Sequence, residues 1–495
     1  MKENKIYVLN PYYHLRNDKN RVSLFSKGGS EKLCSTEWHS LIHPLQAWVL
    51  CQFTYARPLS ENIDVISKSL GVNRELAYSW ITQFYDNPNP VYIEWQGYRI
   101  CFPKKILVDA KTDTHYRMLS EGCLHVKHVD LQTQKLFAGP LMITLMLTNR
   151  CVTRCEYCYA DTKHEVEEPL STKRILQLVD QAARLHVRQV NLIGGEVFIH
   201  PDWQQILAAL VNRRIAPAYL STKMPLDVDL INRIKKTGYE GEIQVSLDTL
   251  NEKILLDTLH VRGGYCKKML EALQILDSSG LRYHVSSVLT KTNCNFEIMH
   301  ELWRELAKLK RLADWRIVPV SNSSNVEYKK MDALKADKEQ VLELCKAMSD
   351  IICLSPFPIL FAKDIVCKQY RDTTDARFIG ERCSALRTHF FILPDGKVTI
   401  CEQLYWHPRF IIGDVRTNSL RQVWNSEKAD ELSHMKQIDL SDSSACKKCL
   451  LFENCYKVEN RCWSDVVKAY GKNHWDYPDP RCKQAPKMSY SLAYL

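Results

Sequence analysis

Three cysteines crowd into the stretch CVTRCEYCYAD, where Cys151, Cys155 and Cys158 are separated by three and then two residues. The opening residues MKENKIYVLNPYYHLRND contain no apolar run of signal-peptide length, so the expectation is a cytoplasmic chain with reduced thiols. A disulfide would leave one of the three cysteines unpaired. Tetrahedral zinc normally takes four ligands. Three thiolates on a four-iron cluster would leave one iron open to something else. A second set lies towards the C-terminus: Cys383, then Cys401 with Gly396 between them, Cys446 and Cys449 as CxxC, Cys455, Cys462, and Cys482 in DPRC. CxxC alone suits zinc as well as an iron–sulfur cluster. The remaining cysteines, such as Cys34 and Cys266, are scattered and read as small buried hydrophobes.

Such thiols need a scaffold that presents them. Between residues 140 and 320 strand-like runs alternate with helical stretches: LMITLMLT, QVNLIGG, PAYLST, EIQVSLD, YHVSSVLT and WRIVPV. The first helix starts at Ser171, a good N-cap, and carries Ile175, Leu178, Val179, Ala182 and Leu185 on one side. Six such units predict an α/β fold with a parallel sheet, open or curled into a partial (β/α)6 TIM-type barrel over residues 140–330. Ligands of such sheets sit at the carboxyl ends of the strands. The cysteine stretch directly follows the first strand. Gly194-Gly195-Glu196 ends the second, Ser221-Thr222 the third, and Ser246-Leu247-Asp248 the fourth. Residues 331–374 read as a helical bridge. Residues 375–495 read as irregular, held by metal clusters more than by a large apolar core.

In these residues the sequence resembles the radical S-adenosylmethionine (SAM) superfamily: CxxxCxxC with Tyr157 before the last cysteine, and GGE at the next strand end. The resemblance implies that Cys151, Cys155 and Cys158 hold a [4Fe–4S] cluster whose open iron chelates SAM. It implies that Gly194, Gly195 and Glu196 receive the SAM amino group, and that Tyr157, Ser221, Thr222, Ser246 and Asp248 lie around the cofactor. One electron would then cleave SAM to methionine and a 5′-deoxyadenosyl radical, while the protein positions a C–H bond and excludes water. No catalytic side chain is assigned. The C-terminal cysteines resemble the SPASM domain of enzymes that modify peptides and proteins, which implies two auxiliary clusters. One would use Cys446, Cys449, Cys455 and Cys482, the other Cys383, Cys401 and Cys462. The family usually has three residues between the last two cysteines of the block, whereas six separate Cys455 from Cys462. Either an insertion carries Cys462 into place or Glu459, at the usual position, is an oxygen ligand. The first auxiliary cluster recruits Cys367 or keeps an open iron.

Residues 1–110 carry a winged-helix pattern. The strands KIYVLN and RVSLFS flank a polar RNDKN loop, three short helices follow, and VYIEWQGYRICF forms a hairpin turning at Gln96-Gly97. Leu45, Trp48 and Val49 share one helical face, Ile63, Ile66 and Leu70 another before the break at Gly71, and Leu76, Ala77, Trp80, Ile81 and Phe84 a third. Residues 111–139 read as a linker. The third helix, RELAYSWITQFYDN, has one Arg and no Lys, too little phosphate neutralisation for nucleic acid to be the expected partner. The pattern resembles the RiPP recognition element, the module with which maturases of ribosomally made peptides bind a leader. That implies an extended leader added as a strand beside the third helix.

Composition agrees with a soluble multidomain protein: 495 residues, 45% hydrophobic and 25% charged, with a net charge of +10 and no dense basic block. The apolar runs PLMITLML and IICLSPFPILFA are too short to span a membrane. The expected function is that of a radical SAM peptide maturase. It would take a hydrogen from a precursor peptide to form a thioether or carbon–carbon cross-link, supplied with electrons by a reduced flavodoxin or ferredoxin-type donor. The rival enzyme is an anaerobic sulfatase-maturing (formylglycine-generating) type, which needs no leader-binding module. An iron–sulfur helix–turn–helix regulator is a rival of another class, with no use for SAM cleavage.

Overall fold

The six strand-like runs between residues 140 and 320 form the strands Met142–Met146, Gln189–Ile193, Tyr219–Thr222, Glu242–Ser246, Arg282–Leu289 and Leu312–Pro319. The computed structural model describes residues 4–95, 97–110, 128–368, 383–453, 455 and 461–494. The chain divides into two compact units, Met1–Gly139 and Pro140–Leu495.

In the second unit the last four core strands pair in parallel, and a short strand, Ile359–Phe361, adds to their edge. The first two also pair in parallel. The two ladders meet where Val190 N–H donates to Ile215 O at 2.8 Å, just before the third strand. One face of the last four strands buries Leu220, Ile243, Val245, Tyr283, Val285, Trp315 and Ile317. The alternate positions are polar: Ser221, Gln244, His284 and Arg316. A parallel sheet covered by helices on both faces would be apolar on both, so this alternation marks an inner face kept for something other than packing. The helix Thr172–Arg184 starts where the sequence predicts, with the Ser171 side chain accepting from Arg174 N–H, and it buries Ile175, Leu178, Val179 and Ala182.

The region after residue 383 is more regular than its sequence implies. The strand His389–Ile392 pairs in parallel with Met142–Met146, His389 opposite Met142. Antiparallel strands Lys397–Thr399 and Ile411–Asp414 extend the sheet outward. Phe390, Phe391, Ile392, Val398, Leu420 and Trp424 are buried, so an apolar core holds this part alongside any cluster.

The first unit has a three-stranded antiparallel sheet, Tyr13–Asn17, Val22–Ser26 and His39–Ile42, and a pair formed by Tyr7–Leu9 with Leu107–Asp109. Helices Pro44–Cys51, Leu59–Leu70 and Arg74–Thr82 follow the sheet, then the hairpin Val91–Trp95 with Tyr98–Phe102. Two predicted faces differ from the observed ones. The first helix buries Ala47 and Leu50 while Leu45, Trp48 and Val49 are half-buried, and the third buries Ala77 and Ile81 but leaves Leu76 (41%) and Trp80 (37%) exposed. A fully buried Arg21 pairs with Asp18 (2.8 Å) and donates to the carbonyls of Asp130, Thr133 and Lys135, which straps residues 130–135 onto the strands. No helix among the described residues is long and apolar enough to cross a membrane.

Candidate functional site

The cysteine stretch folds back against the end of the second core strand. Gly195 N–H donates to Thr148 O (2.7 Å) and Glu196 N–H to Arg150 O (2.9 Å). A Cβ at residue 195 would lie 2.2 Å from Arg150 O, so only glycine permits this approach. The Cys151 thiol donates to Gly195 O at 3.2 Å. The Thr153 hydroxyl lies between two sulfurs, 3.5 Å from Cys151 Sγ and 3.2 Å from Cys155 Sγ. Arg154 and Glu156 N–H groups donate to Leu259 O and Thr258 O, at the end of helix Glu252–Leu259. Cys158 N–H closes a turn on Cys155 O (3.1 Å), and its side chain packs on Met146, Ala160, Phe391, Leu393 and Tyr405. Burial raises the pKa of Cys155 against the pull of Lys223, and burial plus Cys155 pushes Cys158 to about 11. As bare thiols these groups are inert at neutral pH. A bound cation would take them as thiolates.

Glu196 is 2% exposed. Its carboxylate accepts from the Thr222 hydroxyl (2.8 Å), Lys223 N–H (3.2 Å) and Phe198 N–H (3.3 Å). Burial raises its pKa and these bonds oppose the rise. The Lys223 ammonium goes instead to Asp248, at 3.1 Å. Asp248 also accepts from the Tyr157 hydroxyl and from Val288 N–H (2.9 Å), so its carboxylate is fully engaged within the protein. Burial alone would depress the Lys223 ammonium, but Asp248, Cys155 and Cys158 outweigh it and hold its pKa above the usual lysine value. That ammonium lies 5.5 Å from the centre of the Tyr157 ring, and the Tyr265 hydroxyl donates to Lys223 O at 2.6 Å. Neither Lys223 nor Tyr265 is singled out by the sequence pattern. For Lys223 the available signal was its place directly after Ser221-Thr222 at a strand end. Ser221 and Thr222 face opposite sides: Thr222 meets Glu196, while Ser221 accepts from Gln244 Nε2 (2.8 Å). Ser246 is buried at its strand end, opposite Ser286.

The C-terminal thiols divide into two groups. In one, burial raises the pKa of Cys446, of Cys455 (to about 11) and of Cys482, with the thiols of this set, Cys449 included, adding to the rise and Arg461 opposing it. Arg461 Nη2 donates to Cys446 Sγ at 3.1 Å, and Gln437 Nε2 donates to the carbonyls of Cys446 and Cys449 at 2.8 Å each. In the other, burial first, and Cys383 and Cys462 further down, raise Cys401. Burial and then Asp465 push Cys462 to about 11. Asp479 ties the groups together: its carboxylate accepts from Cys462 N–H (2.9 Å) and its carbonyl from Cys482 N–H (2.8 Å). Arg461 and Asp479 are likewise absent from the sequence-based set. Cys367 is exposed at the end of helix Asp364–Cys367, where its neighbour Lys368 pairs with Asp465 (3.2 Å). Glu459 lies outside the described residues.

Among the described residues no three His, Cys, Asp or Glu side chains converge on the position of a single metal ion. Tetrahedral zinc would require that convergence, whereas the ligands of a [4Fe–4S] cluster bind different irons and stand apart. The three thiols of the 151–158 loop and the seven of the C-terminal region offer sulfur donors of the kind that iron–sulfur clusters take.

Comparison with known proteins agrees. Residues 145–297 match the radical SAM superfamily, and residues 383–450 match the SPASM iron–sulfur cluster-binding domain. The PqqA peptide cyclase of Granulibacter bethesdensis is 25% identical over 298 residues, 59% of this chain and 75% of that one. The mycofactocin maturase MftC of Mycobacterium tuberculosis is 22% identical over 360 residues, 71% and 85% of the two chains. The crystal structure of Streptococcus suis SuiB bound to precursor peptide SuiA shares the fold, with a TM-score of 0.62 at 14% identity over 96% of this chain and 100% of that one. Cysteine loop, GGE strand end and domain matches thus converge: the chain is a radical SAM enzyme with a SPASM domain, and its cofactors are [4Fe–4S] clusters and SAM.

Proposed function

We propose that this enzyme modifies a ribosomally made precursor peptide, forming a thioether or carbon–carbon cross-link. One observation carries the reading. Cys158 of the first loop packs on the core cluster that holds Phe391, Leu393 and Tyr405 of the SPASM region, which supports a joint role for the two cysteine regions. The peptide cyclase and the mycofactocin maturase among its relatives support the substrate class.

In this reading Cys151, Cys155 and Cys158 hold the SAM-binding cluster, and the buried Glu196, held only by neutral donors, receives the SAM amino group. When bound, cluster and SAM supply one-electron cleavage of SAM and hydrogen-atom abstraction from the substrate. Asp248 acts at one remove, fixing Tyr157 and Lys223, and Lys223 keeps a positive charge beside Cys155 and Cys158. Met146, Ala160, Phe391 and Leu393 keep water from that side of Cys158. Cys446, Cys449, Cys455 and Cys482 fill one auxiliary cluster, and Cys383, Cys401 and Cys462 leave an iron of the other open. A reduced flavodoxin or ferredoxin supplies electrons. In the first unit the exposed Leu76 and Trp80 form an apolar strip on the third helix, suited to a leader peptide that docks as an added strand.

The test is removal of residues 1–139 from the reconstituted enzyme. Processing of a leader-bearing precursor peptide should be lost, while SAM cleavage without peptide persists. Normal processing by the shortened enzyme would remove the leader-binding role. Tight, salt-sensitive binding of duplex DNA by the first unit would favour a regulator.

A further inference from the structure

The last core strand ends at Pro319, and after Val320 the chain runs into Ser321-Asn322-Ser323-Ser324-Asn325, five polar residues with no apolar side chain to bury. Such a run is a turn by composition. Its donors go to the backbone of other loops. The Ser323 hydroxyl accepts from Asn325 N–H (3.1 Å) and donates to Tyr159 O (3.4 Å), and Asn325 Nδ2 donates to the same carbonyl at 2.8 Å. The Ser324 hydroxyl donates to Gln403 O at 2.5 Å. Tyr159 directly follows Cys158, and Gln403 N–H donates to Cys401 Sγ at 3.4 Å. Adjacent side chains of one turn therefore hold a carbonyl beside a thiol of the first loop and a carbonyl beside a thiol of the C-terminal set.

The turn is itself pinned. The Tyr494 hydroxyl donates to Val320 O, and Asn322 Nδ2 donates to Ser491 O at 2.9 Å. The stretch that carries Ser491 and Tyr494 is anchored where Ser489 and Tyr490 N–H donate to Ala469 O (3.0 and 3.1 Å), in the helix Trp463–Tyr470 that starts directly after Cys462. On the other side, in helix Tyr328–Leu334, the Lys330 ammonium pairs with Glu156, between Cys155 and Tyr157. The apolar packing of Cys158 on Phe391, Leu393 and Tyr405 is non-directional and tolerates sliding. Hydrogen bonds of fixed direction set a register.

We propose that Ser323, Ser324 and Asn325 are positioning residues that hold the loop of Cys151, Cys155 and Cys158 in register with the loop of Cys401, so that the clusters on them keep a fixed separation. The inference rests on the cluster assignment and the peptide-modifying reading, and names the side chains that join the two cluster sites.

The test compares two versions of the full-length, iron-loaded enzyme with the parent. Ser324→Ala with Asn325→Asp removes two donors at nearly equal shape, whereas Ser324→Thr keeps its hydroxyl. Each reduced cluster speeds the spin relaxation of the other, so the microwave power that half-saturates the EPR signal reports their separation. In the double variant that power should fall at unchanged iron content. Hydrogen exchange of residues 151–161 in the cluster-free chain should quicken about tenfold. A displacement of about 1 Å between positioned groups can cost on the order of a hundredfold in rate, so 5′-deoxyadenosine formed per modified leader-bearing peptide should rise about tenfold or more. Ser324→Thr should match the parent in all three readouts. Should the double variant fail to load iron, Asn325→Asp alone takes its place with the same expectations. Parent-like relaxation in the donor-less variant would overturn the joint, and lowered folding stability with parent-like relaxation would show that these bonds only hold the fold. Altered relaxation with no peptide product from any version, the parent included, would keep the joint and remove the peptide-modifying reading. Peptide product from the parent with parent-like relaxation in the variant would do the reverse.

Discussion

Gly195 is required by a neighbour's carbonyl, since a Cβ there would sit 2.2 Å from Arg150 O, and that contact seats the cysteine loop. Gly195→Ala should therefore cost about one cluster's worth of iron, roughly four atoms per chain. Gly263→Ala, where a Cβ meets nothing within 4 Å, should cost none. Iron analysis with EPR of the reduced protein checks this, and full iron in Gly195→Ala would show that the loop seats without the close approach. Lys223 and Asp248 form a second residue-scale unit, with side chains 15% and 3% exposed. Lys223→Met leaves a buried carboxylate without its cation and should destabilise the fold by roughly 3–5 kcal/mol, while adding Asp248→Asn should restore most of it. Urea unfolding of the cluster-free chain measures the cycle, and additive losses would mean the two do not act as a pair. The cysteines and GGE were legible because their chemistry lies in residue type and short spacing. Lys223, Tyr265, Arg461 and Asp479 were not, because each acts across space on a residue that only the fold brings near.

Strands and helices of the core were legible for a related reason. Each of the six strand runs has period two or is continuously apolar, and Ser171 caps its helix as expected. The strand His389–Ile392 was missed because it is four residues long and its partner lies far back in the chain. The split face of the third helix was missed because periodicity shows that Leu76 and Trp80 are apolar, not that protein covers them. The missed strand carries a pH dependence. His389 bonds through Nε2 to Thr144 Oγ1 (2.9 Å), and burial lowers its pKa to about 4. The unfolded chain, with a histidine near 6.5, takes up the proton first as pH falls. Stability is therefore complete above about pH 6.5 and declines towards pH 4, by up to roughly 3 kcal/mol, an upper bound because the residue keeps some solvent contact. His389→Gln should flatten that part of the profile of unfolding midpoint against pH. An unchanged slope would place the acid sensitivity elsewhere.

At the scale of the molecule, the sequence places a boundary at residue 140, where the two units divide, but not the packing of residues 130–135 on the first unit, since the strap over Arg21 is made of carbonyls that any residue could supply. The sheet within the second unit has a further consequence, for the order of events on the ribosome. Met142–Met146 leaves the exit tunnel with one edge unpaired, and its partner strand follows about 240 residues later, roughly 10 to 50 seconds at ordinary rates of synthesis. Until then the loop of Cys151, Cys155 and Cys158 hangs from an unfinished sheet and lacks the Phe391, Leu393 and Tyr405 wall behind Cys158. Chains stopped before residue 389 should accordingly fail to retain iron on that loop, and a stopped chain that kept it would show the loop to be complete by itself. Iron insertion, on this geometry, belongs to the last part of the chain's synthesis or after it, and the nascent protein spends most of its manufacture with its most oxygen-sensitive chemistry not yet possible.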